Sequence, residues 1–170
     1  MQTGNPRHVT AFKVANEYSL TAAVLLELIQ ATVGRGARLR FKACGFSMCP
    51  FIRNEDVLTV APLNGASPGL GDVVAFRRPD TGKLVIHRIV GKKGGSYLIK
   101  GDNALESDGL VTRAEIAARV VKVERDGRRV FIGLGPERRG VALLSRRNLH
   151  VPLLRFICRI YRPVLRRTAA

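Results

Sequence analysis

The first clear periodicity along the chain is helical. Between Ser19 and Val33, the positions Leu20, Val24, Leu28 and Ala31 recur at three- and four-residue steps. Ser19 or Thr21 can cap this segment and Gly34 can stop it, so the spacing predicts a helix with that set as its apolar stripe. At Ala37 the period changes to two, because "ARLRF" alternates apolar and polar positions as a strand does. "DVLTVAPL", "GDVVAFRRP", "KLVIHRIVGK", "SYLIKGD", "ARVVKVERD" and "RRVFIGL" are further short runs, rich in β-branched residues. Turn chemistry such as "NGASPG", "KKGG" and "RDG" separates them. "FRRPDTGKLVIHRI" reads as a hairpin, with Asp80-Thr81-Gly82 turning between alternating strands. "VTRAEIAARV" has room for a single helical turn.

The pattern divides the chain into a leader and amphipathic helix over 1–36, a β-rich region over 37–134 and a basic extension over 135–170. Many short strands with frequent turns predict a mainly β fold, a folded-over antiparallel sheet or small barrel. In the extension, Leu153, Phe156, Ile157, Ile160 and Tyr161 fall on one helical face, and Arg155, Arg159, Arg162 and Arg166 on the other. Pro152 suits a first helical turn and Pro163 ends or kinks the helix, so an amphipathic helix is expected near each end of the chain.

Composition sharpens this picture. At 170 residues, 46% hydrophobic and 25% charged, the chain has enough apolar matter for one folded domain and too much for a disordered one. With 29 Lys and Arg against 13 Asp and Glu, the formal charge is +16, which favours anionic partners. The arginine-rich tail suits peripheral contact with an anionic membrane, and equally suits covering the β core with its apolar face. Nucleic-acid binding gains no support, since aromatic interleaving and recognition motifs are both lacking. Cys44, Cys49 and Cys158 are without metal-ligand spacing and read as reduced thiols. No apolar leader is apparent, and "LTAAVLLELIQATV" is too short to span a bilayer and carries Glu27 and Gln30. The expected location is the cytoplasm or the inner membrane face. No metal or cofactor is expected.

One stretch carries candidate chemistry. In "FKACGFSMCP", Ser47 stands between Phe46 and Met48 with Pro50 close behind. It is either a turn residue or a nucleophile, and a nucleophilic hydroxyl needs a base. Of the three histidines, His8 lies in the leader and His150 among arginines, whereas His87 sits inside the apolar strand "KLVIHRIV". There it is a satisfied structural histidine or the base. A basic histidine wants an orienting carboxylate, and "IKGDNALESDGL" offers Asp102 at a strand end and Asp108 further along the loop. Taken alone, Gly-Asp-Asn is ordinary turn chemistry.

Taken in order, "GFSMCP", "GDVVAFRRPDTGKLVIHRIV" and "IKGDNALESDGL" resemble the boxes of the signal peptidase family. They resemble especially the endoplasmic-reticulum, archaeal and sporulation-type branch, which uses histidine as base. The resemblance covers about residues 45–123. It implies a fold of signal-peptidase type, shared with the LexA-like self-cleaving repressors, and a serine endopeptidase needing no cofactor. It implies Ser47 as nucleophile, His87 as general base, Asp102 as the group orienting the imidazolium and Asp108 as electrostatic or structural support. The Ser47 backbone N–H is the implied oxyanion donor. Met48 and Pro50 would shape the loop, with Met48 lining the pocket for a small residue before the scissile bond. The implied partner is a leader peptide or precursor protein, extended along a strand edge.

Two features depart from the family. Gly45-Phe46 stand where Ser-Gly often precedes the nucleophile, which removes a hydroxyl donor and adds bulk. The spanning helix usual before the serine box is replaced by the short "LTAAVLLELIQATV" segment. The lysine-base branch would need a lysine where His87 stands, whereas Lys83, Lys92 and Lys93 fall in the adjoining turns. The rival reading is a catalytically silent module of the same fold, engaging anionic membrane or nucleic acid through its basic tail.

Overall fold

A computed structural model describes residues 21–149, together with the backbone of 12–13 and 19–20. Two short strands, β1 (Phe12–Lys13) and β2 (Ser19–Leu20), pair antiparallel ahead of helix α1 (Ala22–Gly34). Thr21 caps α1, its hydroxyl oxygen accepting from the Val24 N–H at 3.4 Å. Eight strands follow: β3 (Leu39–Lys42), β4 (Val57–Ala61), β5 (Val73–Arg77), β6 (Leu84–Lys93), β7 (Ser96–Lys100), β8 (Ser107–Val111), β9 (Ile116–Arg125) and β10 (Arg128–Val130). A 3-10 turn at Arg113–Glu115 precedes β9, and helix α2 (Arg138–Arg146) ends the described chain.

The eight strands make one antiparallel sheet in the order β3-β4-β9-β5-β6-β7-β8, with β10 paired to β9. Strands β3 and β8 lie at opposite ends without pairing to each other, so the sheet is open and does not close into a barrel. Strand β5 shows why its sequence is apolar without a break. Val73 and Ala75 join the core cluster beneath α1, while Val74 and Phe76 join a second cluster with Ile89, Tyr97 and Ile99. Successive side chains point to opposite faces, and here both faces are covered.

Helix α1 packs on β9, β6 and β3. Its buried residues are Leu25, Leu26 and Ile29, and the expected stripe is corrected: Val24 and Leu28 face solvent. The segment is apolar nearly all round, so periodicity alone left its inward face open, and contact with the sheet selects it. The stop also moves. Gly36, not Gly34, adopts the left-handed conformation that ends the helix, and its N–H reaches the Val33 carbonyl at 2.9 Å.

Strand β8 occupies a stretch that reads as loop in the sequence, and α2 precedes the tail helix expected there. That helix, with Arg155, Arg159, Arg162 and Arg166, lies outside the described residues, as do His8, His150 and Cys158. None of the described helices is long and apolar enough to cross a membrane.

Candidate active site

Residues 43–56 leave β3 and return to β4 as a braced loop. Ala43 N–H donates to the Asp56 carbonyl at 2.7 Å, and Glu55 N–H returns to Ala43 at 2.9 Å. Gly45 N–H binds the Asn54 side-chain oxygen at 3.0 Å. Asp56 is buried and receives Arg125 through two bonds, of 2.8 and 2.7 Å. The Cys49–Pro50 bond is cis. At the tip Ser47 is exposed, while Met48 beside it is buried in the core.

A second segment grips this loop. Asn103 N–H donates to the Ser47 carbonyl at 2.6 Å, and the Asn103 amide reaches the Phe46 carbonyl at 3.3 Å. Asp102 N–H contacts the Met48 sulfur at 3.4 Å. Gly101 lies so close that a Cβ there would come within 2.8 Å of the Ser47 carbonyl oxygen and 3.0 Å of His87 Nε2. The Ser47 backbone is thus tied to the end of β7, next to the strand that bears His87.

Strand β6 supplies His87 and Arg88, which as neighbours on a strand face opposite ways. His87 Nε2 lies 2.8 Å from Ser47 Oγ, and its Nδ1 lies 2.6 Å from Asp108 Oδ2. The other Asp108 oxygen accepts from Arg78 Nη2. Burial alone would raise the Asp108 carboxyl. The His87 hydrogen bond and charge, then the Arg78 charge and hydrogen bond, outweigh it and hold that carboxyl below the ordinary carboxylate value.

Asp102 is elsewhere. Its carboxylate takes two bonds from Arg88, at 2.8 and 2.7 Å, and both side chains are fully buried. Arg88 also donates to the Gly71 and Gly133 carbonyls, at 2.9 and 2.7 Å. The residue expected to orient His87 therefore belongs to a buried clamp on the opposite face, and the carboxylate on the imidazole is Asp108. The alternation along β6 held the signal for this exchange, since Arg88 must find its own partner on the face away from His87.

No protein-family model matches the chain, and no curated protein matches it. The arrangement rests on its own geometry.

A cleft of about 210 Å³ opens beside Ser47 and His87, floored by Ala43, Met48, Ile52, Leu58, Leu84 and Ile86. Arg78 and Cys44 also line it. Its wall is a strand with one edge unpaired among the described residues: Leu84–His87 pair with β5, whereas pairing with β7 begins only at Arg88. Among the described residues, the Ser47 N–H donates to no acceptor. Pro50 is half-buried in the same loop turn. Of the lysines weighed as a base, Lys83, Lys92 and Lys93 are exposed. Lys100, lowered from its ordinary value by burial against the opposing pull of Asp102, donates instead to the Ser145 carbonyl at the end of α2, at 2.8 Å. No group of described His, Cys, Asp or Glu residues could hold a metal ion.

Arg78, Gly101 and Asn103 were not singled out from sequence. Gly101 and Asn103 flank Asp102 and read there as turn residues. Arg78 sits in the hairpin and reads as surface.

Proposed function

We propose that the protein is a serine endopeptidase with a sheet of signal-peptidase type, cutting a leader peptide or precursor protein through a Ser47 acyl-enzyme. The observation that carries this reading is the continuous contact Ser47 Oγ–His87 Nε2, 2.8 Å, and His87 Nδ1–Asp108 Oδ2, 2.6 Å. These separations are within hydrogen-bond reach, as a nucleophile, base and orienting acid require. Ionised Asp108 accepts a hydrogen bond from the Nδ1–H, which leaves the Nε2 lone pair directed at the hydroxyl.

Ser47 Oγ attacks the substrate carbonyl carbon as its proton passes to Nε2. The oxygen that gains charge is met by the Ser47 N–H. The intermediate collapses with cleavage of the C–N bond, and His87 gives its proton to the leaving amine. Water then attacks the acyl-enzyme, its proton taken by His87 and returned to Ser47. The unused Leu84–His87 edge offers main-chain hydrogen bonds to an extended peptide, and the apolar floor accepts a small side chain before the scissile bond.

The test compares purified wild type with Ser47→Ala on a library of proteome-derived peptides, with new termini identified by mass spectrometry. Cleavage by wild type alone is expected. Absence of cleavage, with salt-sensitive binding of wild type to nucleic acid or anionic vesicles, would favour the silent binding module.

A further inference from the structure

We propose that Arg78 is the positioning residue of this site, fixing the Asp108 carboxylate so that His87 meets Ser47 with an accepting nitrogen. This rests on the peptidase reading above. Asp108 needs such help because its backbone is weakly placed. It lies on β8, the end strand of the sheet, where the register with β7 shifts: Ile99 pairs with Gly109 and Lys100 with Ser107. Asp108 is the residue left over, on a bulge that turns its side chain out of the regular alternation.

Among the described residues, the Asp108 carboxylate has two hydrogen-bond partners, His87 on one oxygen and Arg78 on the other. Without Arg78 the carboxylate is free to swing about its own axis, and the imidazole follows. Arg78 is itself well placed to resist this. Its N–H donates to the Lys83 carbonyl and its carbonyl accepts from Gly82, both at 2.8 Å, which locks it into the β5–β6 hairpin. Its Nε lies 3.6 Å from Asp80. The guanidinium is partly exposed while the Asp108 side chain is only 3% exposed, so Arg78 forms a cover between that carboxylate and the open cleft.

Charge gives a second role. The charged groups around the imidazole are Asp108 from β8, with Arg78 and Asp80 from the hairpin, while Arg88 and Asp102 neutralise each other on the far face. Arg78 balances Asp108, so the imidazolium formed during proton transfer is held long enough to protonate the leaving amine but is not trapped. Lysine at 78 would keep the charge and lose the planar fork.

The experiment uses full-length Arg78→Gln and Arg78→Lys proteins, with imidazole resonances followed by NMR across pH without substrate. In R78Q the downfield Nδ1 proton signal should weaken, and the titration of the Asp108 carboxyl, which Arg78 helps to hold down and which the imidazole resonances report, should move to higher pH. On a cleavable peptide the acid limb of kcat/KM should move up with it, and kcat should fall more than KM changes. R78K should keep the wild-type titration and recover part of kcat. Wild-type titration in both variants, or a lowered melting temperature in R78Q with that titration unmoved, would overturn the proposal. The shift in R78Q without peptide cleavage by wild type would uphold the positioning role and remove the peptidase reading instead.

Discussion

Asp102 lies in the turn after β7 and Asp108 on β8, and different consequences are expected from neutralising each. Asp108 touches the imidazole and also pairs with Arg78 at the edge of the sheet, so Asp108→Asn should lower kcat by about 10⁴-fold while costing less stability than the loss of the fully buried Asp102 charge. Asp102→Asn removes the countercharge of the buried Arg88 and one of its four acceptors, so it should cost on the order of 3–5 kcal/mol of stability. Parallel kinetic and thermal measurements on the two variants check this. Because the Asp108 carboxyl is held below its ordinary value, its contribution to stability is complete above the usual carboxylate range and is lost as pH falls through the lowered native value. The asparagine variant should lack that part of the acid-side loss.

At the scale of elements, the β5–β6 hairpin and the strand bearing His87 were legible, because β-branched runs and Asp80-Thr81-Gly82 turn chemistry agree there. The buried face of α1 was not, since Val24 and Leu28 are as apolar as Leu25 and Ile29 and only the sheet decides between them. Strand β8 was hidden because "SDGLV" has little β character and is held by its ladder with β7. In the candidate site, Ser47 and His87 were recognisable from apolar context and box order. The choice between Asp102 and Asp108 depended on which side of β6 each reaches, and a bulge set that for Asp108. Gly101 marks a place where the Ser47 loop and the end of β7 meet without room for a Cβ. Gly101→Ala should force the Ser47 carbonyl and His87 ring apart, lowering kcat at least ~10-fold. A crystal structure of that variant should show a lengthened Ser47–His87 separation.

For the molecule as a whole, the sheet carries the Ser47–His87–Asp108 contacts on one face of β6 and the Arg88 clamp on the other. The same buried guanidinium joins the Gly71, Asp102 and Gly133 segments, which lie far apart in sequence. Folding of the sheet and assembly of the site are therefore expected as one cooperative event. The strand margin at Leu84–His87, unpaired among the described residues, is open to a sibling molecule. Lys83 at the end of that margin, on a chain of charge +16, sets like against like whenever two copies approach. Salt above about 0.5 M, which shortens the reach of such repulsion to a few ångströms, should raise the sedimentation coefficient well before any change in circular dichroism. The cations of the hairpin would then be guardians of solitude, and an acidic peptide would be the visitor they admit most readily.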